Sequence, residues 1–341
     1  MKRRSFLQGA ATGVSVVAFN PFAAMAQNTS MRISTWLPPV HHMNAVTLPM
    51  WIDAVAAASG GSIDLNIDPA PIASPPEQYN IVRDGAADVA YHVAAYTPGP
   101  FEIARGVEMP FLSPNAEIGS MAAYDWYDRN IGFDAEFDDV KVLTIFVHGP
   151  GALHSKTPVS TLEDLENLKI RVGGGGVRIA EALGAAPVAM PAPSAYEALQ
   201  NNVVDAAMFP WESIRGFRLN ELVSHHLEIP GGLYTTFFAV VMNRSRWDGL
   251  SDEHKQMLTE YGGVEGARIF GRGWDLADEA GKAAVAEGAE IVSLSEEEQA
   301  RWAERLTFVE ADWLALANER GHDGQALLDD LRATIARYSE M

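Results

Sequence analysis

Arg171 stands inside the apolar segment Leu168-Lys169-Ile170-Arg171-Val172, directly ahead of a glycine run at 173–176. A guanidinium keeps its proton at physiological pH, so a strand that draws it inward needs an anion beside it. Two sources fit the sequence: an internal Asp or Glu, or a ligand carboxylate held by the planar fork. The glycine run exposes backbone N–H groups at a strand-to-helix turn, but no Gly-Lys-Ser/Thr follows it. It reads as a tight turn, or as a close approach to a polar ligand, and not as a nucleotide-hydrolysing loop.

Aromatic side chains gather beside the ends of predicted strands. Trp36 follows a strand at 32–35, Tyr96 follows 88–93, Phe209 and Trp211 follow 203–208, and Tyr234 precedes 236–242. Ligands of open α/β sheets sit outside the carboxyl ends of strands, where most of these rings collect. Packing beneath loops is the other reading that residue type allows. Tyr91, His41 and His148 are further candidates for the walls of such a pocket. Glu212 is a candidate to hydrogen-bond a ligand hydroxyl or a cation, or else to stand on an exposed rim.

Nine histidines include the adjacent pairs His41-His42 and His225-His226. Neighbours on a strand face opposite ways, and neither pair has the i, i+4 spacing that puts two imidazoles on one helix face, so no metal ligand is assigned. Absence of cysteine excludes disulfides, thiolate metal sites and a thiol nucleophile. No Gly-x-Ser-x-Gly elbow or comparable signature is present, so no catalytic residue and no cofactor is assigned either.

The elements that must position these residues alternate. Further strands are predicted at 62–68, 140–147 and 169–172, with helices at 44–58, 116–130, 177–183 and 194–200. That order predicts an α/β architecture with largely parallel pairing. Ser160 with Glu163, Ser194 with Glu197 and Ser295 with Glu298 have capping-box spacing and mark helix starts. A long helix at about 264–289, late in the chain, is placed to brace two domains.

Lys2, Arg3 and Arg4, the apolar run 9–19 and Ala24-Met25-Ala26 predict an export signal cleaved before Gln27. Arg3-Arg4-Ser5-Phe6-Leu7 resembles the twin-arginine type. Eleven apolar residues fall short of the about 20 that a bilayer core requires. The expected compartment is the periplasm. Removing that segment takes three positive charges and no acid, so the formal charge of −20 becomes −23. Nucleic acid is a poor partner for such a surface. About 315 remaining residues predict two domains.

Five stretches in order resemble the DctP-type periplasmic subunits of tripartite ATP-independent periplasmic (TRAP) transporters. They are YNIVRDGAADVA at 79–90, YTPGPF at 96–101, LEDLENLKIRV at 162–172, LGAAPVAMPAPSAYEALQNNVVDAAM at 183–208 and VMNRSRWDGL at 241–250. The resemblance implies a two-lobed binding protein with hinge strands and a long bracing helix, closing on its ligand. It implies lobe I at 30–149 plus about 239–270, and lobe II at 150–238 plus about 271–341 with the brace. It also implies that Arg171 clamps the carboxylate of a small organic acid. The implied partners are the small and large TRAP membrane subunits, met by a monomeric receptor.

Two departures from sialic-acid-type relatives bear on the ligand. His148-Gly149-Pro150-Gly151 stands where those relatives place a second arginine, and Phe209 where they often carry asparagine. The expected pocket is therefore more apolar and aromatic. A periplasmic ligand sensor on the same fold, or an enzyme acting on a small acid, are the competing functions.

Overall fold

The computed structural model describes residues 28–341. The expected export signal at 1–26 lies outside the described residues. Two sheets organise the chain. The first contains β1 (Thr29–Ser34), β2 (Ile63–Ile67), β3 (Val89–Val93), β4 (Val140–Val147) and β10 (Phe237–Asn243), in the order β2-β1-β3-β10-β4. The second contains β5 (Ala152–Ser155), β6 (Lys169–Val172), β7 (Ala186–Ala189), β8 (Ala206–Phe209), β9 (His225–Glu228) and β11 (Glu290–Ser293), in the order β11-β9-β5-β8-β6-β7.

Pairing is more mixed than the largely parallel sheets the sequence predicted. β10 runs antiparallel to both β3 and β4, and β5 runs antiparallel to both β8 and β9. These are the strands at which the chain changes sheet, so a returning segment, and not a helical crossover, enters the sheet there. β5, β7, β9 and β11 each have four residues, too short for a periodic signal.

Alternation along β10 shows why this sequence makes a central strand. Phe238, Val240 and Met242 enter one core with Trp36, Tyr91, Phe146 and Phe270, whereas Phe237, Ala239 and Val241 enter another with Trp126, Tyr127 and Phe137. Side chains of a strand point alternately to its two faces, and both faces here are covered. The first of these cores also contains Phe209 and Ile214 from the second-sheet side. A separate core, with Trp302 and Leu306, lies under β6 and β8.

Two connections cross between the sheets side by side. The Gly151 amide donates to the Tyr234 carbonyl and the Leu233 amide to the Gly151 carbonyl, both at 2.9 Å. Gly232 adopts φ +76°, and a Cβ there would sit 2.7 Å from Pro150 Cα, so only glycine fits. A third link is the helix Gly263–Val285. Asp275 accepts the Ala116 and Glu117 amides of helix Ala116–Asn130, while three residues on Asp278 accepts the Glu212 amide at 2.6 Å.

The C-terminal helices divide differently from the expected boundary at 271. Helix Glu296–Glu319 starts against the second sheet through Trp302 and Leu306, but its Trp313 and Ala317 join the first-sheet core. Helix Gly324–Ser339 packs wholly there through Leu327, Leu328, Leu331 and Ile335, and Trp126 Nε1 donates to the Leu327 carbonyl. An apolar stripe on that helix finds its matching surface beside Trp126, so proximity in sequence does not decide the lobe. Of the three capping boxes, only Ser295 caps, accepting the Glu298 amide at 3.2 Å. Ser194 makes no side-chain cap, and Ser160 donates to Asp164.

Candidate functional site: a buried arginine beneath an aromatic cavity

Arg171, the third residue of β6, is 2% exposed. Its Nη1 donates to the Met208 carbonyl at 3.2 Å and its Nη2 to the Met190 carbonyl at 2.9 Å, while Nε has no partner. The Phe209 ring lies 3.9 Å from the guanidinium carbon. Among the described residues no carboxylate pairs with it, so the internal acid that the sequence left open is not found. Glu108, the acid that lines the same cavity, is engaged elsewhere. It takes a 2.7 Å bond from Arg105 and a 2.9 Å bond from the Phe237 amide. Burial pulls the Arg171 pKa down, and the two carbonyl dipoles orient the guanidinium without neutralising it.

Above the guanidinium is a cavity bounded by side chains of both sheets. From the first-sheet side come Trp36 and His41 beyond β1, Tyr91 on β3 and Tyr96 just after it, and His148 beyond β4. From the second come Arg171, the glycine turn after β6, Phe209 at the end of β8, and Glu212. Tyr234 enters from the crossing segment and donates to the Met208 carbonyl at 3.0 Å, the carbonyl that also takes Arg171 Nη1. Tyr96 closes the cleft, its hydroxyl accepting the Ala192 amide at 3.1 Å across the two lobes.

Apart from the guanidinium and the Arg105-paired Glu108, burial keeps the titratable walls of the cavity neutral. His148 donates from Nδ1 to the Gly149 carbonyl at 2.6 Å, which leaves Nε2 to accept from Thr236 Oγ1 at 3.0 Å. Burial, opposed by that carbonyl and aided by Arg171, holds its pKa down to about 4. Burial lowers His41 to about 3 and raises Glu212 to about 8. Glu212 is 3% exposed, so the rim position the sequence allowed is excluded. Its Oε1 accepts from Ser213 Oγ at 2.7 Å.

Nine of the ten residues singled out from sequence border this cavity. Trp211 does not. β8 ends at Phe209, and the turn at Pro210 carries Trp211 to the outer side, where its ring lies 5.1 Å from both His154 and His226. Its carbonyl seats the long helix: any Cβ at Gly281 would run into it. The tryptophan that does border the void and escaped sequence reading is Trp274, stacked on Phe238 at 5.6 Å. Phe217 and Phe238 were also missed. Trp274 sits inside a long helix far from any strand end, and no local signal marks it.

The matching family model, bacterial extracellular solute-binding protein family 7 (DctP), spans residues 34–314. A TRAP periplasmic solute-binding protein from Bordetella bronchiseptica, solved with bound (R)- and (S)-mandelate, superposes with a TM-score of 0.87. It is 34% identical over 91% of this chain and 99% of that one. A TRAP solute-binding protein from Rhodoferax ferrireducens T118, in complex with copurified benzoate, gives a TM-score of 0.85 at 30% identity, covering 92% and 99%. TsaT, an outer membrane transporter protein of Comamonas testosteroni, is 26% identical over 94% of this chain and 96% of its own length. No helix among the described residues is long and apolar enough to cross a membrane. With a family match across 34–314 and TRAP receptors of the same fold at 30% identity or more, the chain belongs to the family 7 bacterial extracellular solute-binding proteins.

Proposed function

We propose that this protein captures a small aromatic monocarboxylate in the periplasm and delivers it to TRAP membrane subunits. The observation that carries this reading is Arg171, buried with two carbonyl contacts and no acid, at the floor of a cavity walled by rings. A carboxylate replaces the missing anion, and a flat apolar body fits between Trp36, Phe209, Tyr234 and Trp274. The similar receptors with mandelate and with benzoate support the same chemical class.

Arg171 acts as the clamp and Tyr96 as the latch across the cleft; Tyr91, His41, His148 and Glu212 complete the walls. Because the walls come from both sheets, ligand binding favours the closed lobes, and opening exposes the ligand to the membrane partner. The receptor acts as a monomer with the small and large membrane subunits, and it turns over no substrate.

A thermal-shift screen of aromatic, aliphatic and sugar acids tests this. A ligand at 100 times its dissociation constant adds about 2.7 kcal/mol of stability. Benzoate or mandelate should raise the midpoint, and dicarboxylates and sugar acids should not. A response only to the latter would overturn the aromatic assignment.

A further inference from the structure

Beside the cavity, three buried donor atoms meet without hydrogen-bond partners: His41 Nε2, His42 Nε2 and Glu212 Oε2. All lie within 4.8 Å of one another. The sequence argument against this histidine pair covered a strand, on which neighbours face apart, and a regular helix face, on which paired ligands stand i, i+4. Instead the chain turns at His41 into the helical segment Met43–Thr47, and the two rings tilt together with centroids 4.7 Å apart. Both face Glu212, at 3.4 Å and 3.6 Å from its Oε2.

Those separations are informative. They are long for hydrogen bonds to a carboxylate, which run to about 2.7–2.9 Å when charge-assisted. They approach the about 3.3 Å edge of a tetrahedron with metal–ligand bonds of about 2.05 Å, and the third separation, His41 Nε2 to His42 Nε2, is within 4.8 Å. His42 Nδ1 is held by Thr47 Oγ1 at 3.1 Å, the outer contact that leaves Nε2 as the coordinating nitrogen. Gly216 keeps the space beside the donors open, because a Cβ there would lie 2.6 Å from Glu212 Oε2 and 3.0 Å from His41 Nε2. A groove past His42, Gly216 and Ala277 gives a route in from the surface.

We propose that His41, His42 and Glu212 form a binding site for a divalent transition metal of the zinc class. Two imidazoles and one carboxylate are a ligand set suited to such ions, and the fourth position is open. The histidines follow β1 and the glutamate follows β8, so the ion ties the two lobes together. Coordination requires His41 to carry its proton on Nδ1, so the 3.3 Å contact that this nitrogen now accepts from the Met43 amide must lengthen. His41 and Glu212 also border the acid cavity, so His42, which does not, is the residue that separates this site from the acid-binding reading.

The test is titration of the chelator-stripped mature chain with zinc and with cobalt(II). One tight equivalent per chain is expected, with the visible absorption of four-coordinate cobalt. His42→Gln and Glu212→Gln should each weaken it by about 100-fold or more, since loss of a direct ligand is at least as costly as loss of an outer-shell partner. Circular dichroism checks that the variants are folded, and benzoate titration of His42→Gln checks that acid binding is retained independently. No tight equivalent in the unaltered chain, or one that persists in folded His42→Gln, overturns the site.

Discussion

The two lobes contribute opposite things to one cavity. The first-sheet side supplies rings and neutral imidazoles, Trp36, Tyr91, Tyr96 and His148, whereas β6 of the second supplies the uncompensated charge of Arg171. Arg105, near the same mouth, shows what compensation looks like, with Glu108 at 2.7 Å. A ring surface alone would hold many apolar molecules, and a lone cation alone would hold any anion. On the proposed reading, joining them in one cleft selects a molecule that is both, and only when the lobes close.

The largest expected effect comes from removing the charged half. Truncating one partner of a buried charge pair costs about 2–5 kcal/mol, roughly 30-fold or more in affinity. Arg171→Ala should lose benzoate or mandelate binding by at least that factor in isothermal titration. Arg171→Lys should also bind weakly, because a single ammonium lacks the planar fork. Normal affinity in either folded variant would remove the charge from the second lobe's role.

The connection between the halves is tested by Gly281→Ala. A methyl there strikes the Trp211 carbonyl, prising the long helix from its seat on the second lobe. Overpacking of this kind costs about 1–3 kcal/mol, read from the urea midpoint. An unchanged midpoint would mean that the helix does not hold the lobes.

Acid should weaken both lobes through histidines kept neutral by burial. His92 on β3, its ring 4.7 Å from Phe101, is held down to about 3, and His154 on β5, beside His226, also to about 3. Each folded pKa is below the unfolded value near 6.5, so the unfolded chain binds more protons below that pH. Stability therefore falls as pH drops from about 6.5 toward about 3. His92→Phe should flatten part of that fall in thermal unfolding, and a slope identical to that of the unaltered protein would contradict it.

The smallest effect is optical. Ligand should change tryptophan emission, with the response reduced in Trp36→Phe and Trp274→Phe and retained in Trp211→Phe. A response lost only in Trp211→Phe would relocate the cavity.

These contrasts also show what was legible in the sequence. β4 is readable to the residue because its apolar run is broken only by Lys141 near its start and Thr144, and Arg171 stands out because its charge falls at the buried end of a strand, just before a glycine turn. Phe209 and Trp211 looked equivalent, since both follow a strand. Only the end of β8 and the turn at Pro210 separate them. Trp274 and the meeting of His41-His42 with Glu212 depend on how the long helix and the two lobes dock, and no spacing along the chain encodes that. The docking of the C-terminal helix on the first-sheet core is hidden for the same reason.

If the ligand supplies the anion that Arg171 lacks, binding depends on the charge of the ligand and not on its ring alone. Titrating the unaltered protein with benzoate and with benzamide tests it most directly, since the two share a ring and differ in charge. Benzoate should bind at least about 30-fold more tightly than benzamide. Equal affinity for the two would contradict it.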